Sequence, residues 1–180
     1  MTWQQLSSTI KYQNRYMTVT EDEVVTDHGD KLTFGVVHKE PAVWIIPWDG
    51  VHLTIIGQYR YAVDYFSWEF PAGHAELNSP ETAAALELKE ETGITAQKFE
   101  LIGKFFLGPG HHTQVCYVYL ATELTTGERD LETAEKGMLV KQVTLPEVEQ
   151  MINDGTIQDG PTITAYKYFE LHLASNAHHV

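Results

Sequence analysis

An acidic run from Glu87 to Ile94, E-L-K-E-E-T-G-I, constrains this chain more than any other part of its sequence. At roughly 100° per residue, Glu87, Glu90 and Glu91 fall on one side of the helix that the run predicts. Carboxylates this close repel one another, and hard cations such as Mg²⁺ take oxygen ligands of this kind. Two interpretations are open: a solvated acidic face, which is the commoner one for these residues alone, and a divalent-cation site.

The flanking sequence predicts where this helix begins and ends. Ser79 can accept hydrogen bonds from the first free amides, Pro80 suits the first helical position, and Gly93 supplies the stop. Upstream, Trp68 to Gly73 predicts the end of an apolar strand that turns at Pro-Ala-Gly. The predicted unit is therefore a strand, a loop and a short helix that carries the acids.

This unit resembles the signature of the Nudix hydrolases, G-x5-E-x7-R-E-U-x-E-E-x-G-U, in which U is a bulky aliphatic residue. Residues 87–94 match its second half at every specified position. The first half departs, because Leu86 stands at the arginine position and Asn78 at the first glutamate position. Gly73 fits as the opening glycine if the following loop is one residue shorter than in the family. We expect Leu86 to pack apolarly instead of facing the metal.

Composition agrees with a small soluble enzyme, and it is compatible with small nucleotides that are delivered with Mg²⁺. The 180 residues include 12 basic and 25 acidic ones, and the net charge of −13 would repel polyphosphate chains unless cations mediate. We therefore expect no nucleic-acid partner and, with no apolar run of spanning length, no membrane partner. The single cysteine, Cys116, precludes an intrachain disulfide, and we expect cytoplasmic residence.

The order of elements predicts an α+β domain with a small N-terminal appendage. Residues 1–40 form a strand-rich segment, too small to hold its own core, and residues 41–180 form the catalytic domain. The Nudix resemblance implies the Nudix fold, an α/β/α sandwich around a mixed sheet. Predicted strands cover 17–25, 32–37, 42–47, 51–59, 66–70, 99–106, 115–120 and 139–144, and later helices cover 146–153 and 161–174.

Several short segments resemble one branch of the family, the ADP-ribose pyrophosphatases and nucleoside-diphosphate-sugar hydrolases. They are Gln58 to Tyr61, Ser67 to Gly73, Tyr119 to Thr122, and Pro109, which lies sixteen residues beyond Gly93. One departure is His111 to Gln114, where the branch often has an acidic stretch. The resemblance implies Mg²⁺-dependent hydrolysis, with Mn²⁺ as the other candidate. The implied substrate is ADP-ribose or a related nucleoside-diphosphate sugar, which is split into a nucleoside monophosphate and a sugar phosphate.

The resemblance also implies a set of metal ligands. Glu87 and Glu91, one helical turn apart, are the expected direct ligands, and Glu90 bridges or acts through a water molecule. The backbone carbonyl of Ala72 is the further ligand that the family implies, because the turn after the strand brings backbone close to the helix.

The general base is assigned to a late loop, residues 131–137, by the same resemblance. Glu135 is the expected base and Glu132 the reserve. In the alternative, both are ordinary loop acids, and a helix glutamate such as Glu90 activates the water instead.

Candidate substrate contacts each have a second interpretation. Arg60 either pairs with Glu69, itself a candidate contact, or clamps a diphosphate through its planar fork. Trp48 packs in the core or lies accessible beside a turn. Tyr16 is expected to stack on the base across a homodimer interface, as N-terminal aromatics do in the branch. Pro109 marks the branch-specific loop.

A binding protein is the alternative to an enzyme. A Nudix-fold module could sense nucleotides without turnover. The three signature glutamates favour the enzyme, and the missing arginine favours the sensor.

Overall fold

The computed structural model describes residues 2–75, 79–131 and 136–177. No helix in these ranges is both long and apolar enough to cross a bilayer. A short 3-10 helix, Tyr61–Val63, follows the fifth strand. The strands are β1 (Gln4–Gln13), β2 (Thr18–Val25), β3 (Lys31–His38), β4 (Ala42–Pro47), β5 (His52–Arg60), β6 (Tyr65–Glu69), β7 (Ala72–His74), β8 (Ile94–Phe106), β9 (Val115–Thr126) and β10 (Leu139–Thr144), and the helices are α1 (Pro80–Thr92), α2 (Leu145–Asn153) and α3 (Gly160–Ala177).

The chain divides into two compact units. The first contains Met1–Pro41 and Phe105–Cys116, and the second contains Ala42–Lys104 and Tyr117–Val180. Strands β1, β2 and β3 form an antiparallel sheet in the first unit. The first unit thus takes in a segment from the middle of the chain, and the division at residue 40 stays a prediction.

The second unit contains two sheets and the three helices. Its strand orders are β10-β5-β6 and β7-β4-β9-β8. Val43 and Ile45 of β4 pack in one cluster with Leu88 of α1. Side chains alternate along a strand, so Val43 and Ile45 share one face of β4 and the residues between and after them face the other way. Directly after β4, the ring of Trp48 packs against that of Phe169 in α3, with 5.4 Å between the ring centroids. Helices therefore cover both faces of the β4 sheet, which is the layered arrangement predicted.

Helix α1 begins and ends where the sequence predicts. The Ser79 hydroxyl accepts a hydrogen bond from the Thr82 N–H at 3.3 Å, and Pro80 opens the helix. Gly93 closes it with a φ of 74°, a left-handed conformation that glycine adopts without steric cost. Local capping signals therefore fix the length of the helix that carries the acidic run.

Candidate active site

Two of the three signature glutamates on α1, Glu87 and Glu91, lie against strand β7. Glu91 is 2% exposed, and its carboxylate accepts a hydrogen bond from the Ala72 N–H at 3.0 Å. The Glu87 carboxylate lies so close to Gly73 that a Cβ there would overlap it. Strand β7 thus presents bare backbone to both acids, and only glycine at position 73 permits this approach.

The turn before β7 is held by two further elements. The Phe70 N–H donates to the Thr162 hydroxyl of α3 at 3.1 Å. The Pro71 carbonyl accepts from the Ile45 N–H of β4 at 2.8 Å. Together with the Ala72 bond to α1, these contacts fix the turn from three sides. The sequence predicted a turn at Pro-Ala-Gly, whereas in the structure Phe70 and Pro71 alone connect β6 to β7, and Ala72 and Gly73 already belong to β7.

The segment after β9 satisfies backbone carbonyls at the end of α1. The Gly127 N–H donates to the Gly93 carbonyl at 2.7 Å, and the Asp130 N–H donates to the Glu90 carbonyl at 3.2 Å. The last carbonyls of a helix have no partners within the helix, so this segment supplies them. Its backbone is therefore fixed at the same end of the helix as the acids.

The loop that begins there carries the predicted general base. The Arg129 Nη1 donates to the Met138 carbonyl at 3.0 Å, which ties the two sides of the loop together. Glu135 and Glu132 lie outside the residues that the structure describes, so their assignment stays a prediction.

Arg60 forms a two-point ion pair with Glu69. Its Nε donates to Oε1 at 2.9 Å, and its Nη2 donates to Oε2. Glu69 is buried, whereas the Arg60 side chain is 44% exposed. The hydrogen bonds to Glu69 raise the pKa of Arg60, and the negative charges of Asp159 and Glu91 act in the same direction. The pairing role predicted for Arg60 is thus present, and its exposed part is accessible to a phosphate group.

Asp159 is the residue in this charged group that the sequence analysis missed. Its carboxylate accepts the Thr162 N–H at 2.8 Å, and burial raises the pKa of Asp159. The signal in the sequence was a helix start, Asp159 followed by Gly160 and Pro161. That pattern predicts a helix cap at Asp159, but the proximity of Asp159 to Arg60 follows only from the fold.

The remaining predicted contacts have different surroundings. Tyr16, in the first unit, is 53% exposed, with the guanidinium of Arg15 over its ring at 4.4 Å. Pro109 is exposed in a loop of the same unit. Trp48, in the second unit, packs edge-on against Phe169, which supports its packing role. Contacts of these residues with a substrate stay predictions.

The oxygen atoms near β7 can be compared with the ligands that a divalent cation requires. Among the described residues, no group of three His, Cys, Asp or Glu side chains lies close enough to hold one ion. Mg²⁺ is typically bound by one or two protein carboxylates and completed by water and substrate phosphates. Glu87 and Glu91, with a backbone oxygen of the turn, meet that requirement. The chemistry of these donors therefore suits a divalent cation whose coordination is completed by other ligands, and a role for Glu90 stays a prediction.

Two protein-family models match the chain. The one described as the NUDIX domain matches residues 38–167. The chain belongs to the Nudix family. The second, described as the nucleoside diphosphate sugar hydrolase N-terminal domain, matches residues 3–37. Together they confirm the resemblance found in the sequence, to the Nudix hydrolases and to their nucleoside-diphosphate-sugar branch.

Individual Nudix relatives and structures agree. An ADP-ribose pyrophosphatase from Bacillus subtilis (strain 168) is 33% identical over 169 residues, which is 92% of this chain and 91% of the relative. A methanol dehydrogenase activator from Bacillus methanolicus is 27% identical over 166 residues, or 91% and 90% of the two chains. A crystal structure of an ADP compounds hydrolase superposes with a TM-score of 0.86 at 19% identity, covering 98% of this chain and 96% of that one. The predicted Nudix fold is confirmed.

The arginine position of the Nudix signature is not packed as we expected. Leu86 is 54% exposed, whereas Ala84 and Leu88 on the same helix are fully buried. Two residues correspond to about 200° of helix rotation, so Leu86 lies on the side opposite its buried neighbours. The expectation that Leu86 packs apolarly is wrong, and Asn78 lies outside the described residues.

Changing Leu86 to arginine should therefore leave stability nearly unchanged. A long cationic side chain can extend into solvent here, so we expect the free energy of unfolding to change by less than about 0.5 kcal/mol. The matched control, Leu88→Arg, places the charge in the core and should cost about 3 kcal/mol or more. Urea unfolding of both variants measures this, and a large loss in Leu86→Arg would contradict the exposure of that position.

Proposed function

We propose that this Nudix protein hydrolyses the diphosphate bond of ADP-ribose or a related nucleoside-diphosphate sugar, with Mg²⁺ or Mn²⁺, to a nucleoside monophosphate and a sugar phosphate. The observation that carries the proposal is the approach of Glu87 and Glu91 to the backbone of β7. The signature glutamates are thereby held beside a turn whose backbone can add an oxygen ligand. The similarity to an ADP-ribose pyrophosphatase over nearly the whole chain supports ADP-ribose as the first substrate to test.

The residues of the site have distinct roles in this reaction. Glu87, Glu91 and the Ala72 carbonyl would hold the divalent cation, which neutralises charge that develops on the phosphate oxygens. Arg60 has a permanently charged guanidinium, which Glu69 orients. Its exposed part would bind a diphosphate oxygen and keep the phosphorus in place for attack.

The chemical step is attack of water on one phosphorus of the diphosphate. The water oxygen forms a bond to phosphorus, and the bond between that phosphorus and the bridging oxygen breaks. The proton of the water passes to a carboxylate, for which Glu135 is our first assignment and Glu132 the second. Supporting this choice, Gly127 and Asp130, which precede these residues in the chain, form backbone hydrogen bonds to the end of α1 where the acids lie.

A substrate panel tests the proposal directly. The purified protein is incubated with Mn²⁺ or Mg²⁺ and ADP-ribose, GDP-mannose or UDP-glucose, and the products are separated by anion-exchange chromatography. We expect AMP and ribose phosphate from ADP-ribose. Binding of ADP-ribose in calorimetry without any product would support the alternative, a nucleotide-sensing module, and would contradict hydrolysis.

We also propose that the protein acts as a homodimer in the cytoplasm, in which the N-terminal segment of one chain completes the nucleotide pocket of the other. The support is a set of exposed apolar side chains on and beside β1, which a partner surface would cover. Tyr16 is accessible to stack on a base in this arrangement. These exposed residues are Trp3, Leu6, Ile10, Tyr12 and Tyr16.

A single charge on β1 should separate the proposed dimer. Ile10 is 58% exposed, so Ile10→Asp should fold normally while placing a charge in the apolar interface. We expect monomers in sedimentation velocity at micromolar concentration and a higher KM for ADP-ribose. Ile10→Val keeps the apolar surface and serves as the control. A wild-type protein that sediments as a monomer while hydrolysing ADP-ribose efficiently would refute the arrangement.

A further inference from the structure

The start of α3 contacts the turn that leads to the proposed metal site. Thr162 is fully buried, and its hydroxyl accepts the N–H of Phe70, a fully buried residue 92 positions earlier in the chain. A buried backbone N–H that loses its partner carries a large desolvation penalty. The Thr162 hydroxyl is therefore the group that allows the Phe70 backbone to lie where it does.

Thr162 is itself held by its own helix. Its N–H donates to the Asp159 carboxylate at 2.8 Å, and the next N–H, of Ile163, donates to the Asp159 carbonyl at 3.0 Å. A threonine side chain is also stiff about χ1. The helix thus sets the position of the hydroxyl, and the hydroxyl in turn sets the position of Phe70.

The position of Phe70 affects the contact of the nearby backbone with Glu91, because only a short stretch of chain separates them. Ala72 follows two residues later, and its N–H donates to the Glu91 carboxylate at 3.0 Å. Between them, the Pro71 carbonyl is bonded to β4. Peptide units are planar and their virtual bonds have fixed length, so a shift of Phe70 alters the approach of Ala72 to Glu91.

We propose that Thr162 is a positioning residue for the metal site: its hydroxyl fixes the turn from Phe70 to Ala72, and through it the Ala72 backbone against Glu91. The catalytic consequence rests on the proposed function. The effect of Thr162 on the turn and on metal affinity can be measured without any substrate.

The test compares three variants on one helix. Thr162→Val keeps the shape and removes the hydroxyl, Thr162→Ser keeps the hydroxyl, and Thr164→Val is the matched control. The Thr164 hydroxyl donates to the Gly160 carbonyl in the first turn of the same helix, at 2.9 Å. Each full-length variant is examined by amide hydrogen exchange at Phe70 and Ala72, by Mn²⁺ titration without substrate, and by kcat and KM.

For Thr162→Val we expect exchange at Phe70 and Ala72 to accelerate at least about tenfold. The Mn²⁺ concentration for half-saturation should rise about tenfold, as when other residues that orient metal ligands are changed. kcat at fixed Mn²⁺ should fall with KM for the nucleotide little changed. Thr162→Ser should restore all three quantities, and Thr164→Val should leave them at wild-type values.

Several outcomes would overturn the inference. Wild-type Mn²⁺ affinity in Thr162→Val, together with a lowered melting temperature, would show a structural role only. If Thr162→Val does not fold, Thr162→Cys replaces it, since a thiol is a weaker acceptor, and wild-type affinity and exchange there would refute positioning. A wild-type protein that binds Mn²⁺ but splits no nucleotide sugar would contradict the proposed function alone, because the exchange and Mn²⁺ comparisons would still stand.

Discussion

Glu87→Gln and Glu91→Gln should each lower kcat for hydrolysis of ADP-ribose by at least about 100-fold. Glutamine has nearly the same shape as glutamate, but it lacks the charge that holds a divalent cation beside the β7 backbone. Steady-state kinetics at saturating Mn²⁺ measure the loss. A decrease of less than about tenfold in both variants, equivalent to 1.4 kcal/mol, would remove these residues from the ligand set.

The matched control for this pair is Glu81→Gln. Glu81 is exposed in the first turn of the same helix, away from the end where Glu87 and Glu91 meet β7. Its replacement removes the same charge from the same element, so general electrostatic effects of the helix are reproduced. We expect its kcat to stay within about twofold of wild type, because an exposed charge near a helix end contributes less than 1 kcal/mol.

The two variants should differ in stability without metal. Glu87→Gln relieves repulsion among neighbouring acids, so its melting temperature should hold or rise. Glu91→Gln also weakens a charge-assisted hydrogen bond from the Ala72 N–H in a buried position, so its melting temperature should fall. Differential scanning calorimetry in the presence of a chelator separates these effects from metal binding.

Gly73→Ala should abolish most activity while the protein stays folded. A methyl group at this position would occupy the space of the Glu87 carboxylate, and a flexible side chain can move aside. The carboxylate would then leave its position against β7. Because a displacement of about 1 Å at a reacting site costs about 100-fold, we expect a loss of that size in kcat/KM and weaker Mn²⁺ binding.

A double-mutant cycle distinguishes this collision from a general effect on the strand. In the Glu87→Ala background the carboxylate is gone, so adding Gly73→Ala should cost little further stability or metal binding. Gly35→Ala is the control for alanine in a strand, since a Cβ there has no atom within 4 Å. Additive losses across the cycle would show that Gly73 and Glu87 do not share this space.

Local signals in the sequence were sufficient to predict where α1 begins and ends. Ser79, Pro80 and Gly93 act on the backbone within a few residues, so their effect does not depend on the rest of the fold. The spacing of the glutamates then determined which side chains share a face. Leu86 was misjudged because a leucine on a helix was assumed to be buried, whereas burial depends on which face the neighbouring strand covers.

Strand β1 shows the opposite case. The first strand predicted from the sequence begins at Met17, so β1 (Gln4–Gln13) was missed. All ten residues of β1 are exposed, so no alternation of buried and solvent-facing side chains marks it. The strand exists through its backbone pairing with β2, which no property of an isolated segment reveals.

The charged and polar contacts around the site could not be derived from spacing. Arg60 and Glu69 lie on adjacent strands but not opposite each other, since Arg60 pairs with Tyr65 and Glu69 with Ile56, so their ion pair was only one of two open choices. Asp159 and Thr162 come from the other end of the domain sequence and reach the turn only through the packing of α3. Contacts over such separations depend on the whole topology.

The anchors of the segment after β9 have a consequence for how this protein can diverge. Gly127 and Asp130 are tied to the end of α1 by main-chain atoms on both partners. Substitution of the side chain at position 130 therefore leaves that tie in place, whereas proline there would remove the donor. Position 93 is more restricted, since a Cβ there would lie 2.5 Å from the carbonyl oxygen of Gly127. Side chains on this segment can thus change while the main-chain hydrogen bonds that attach it to α1 remain.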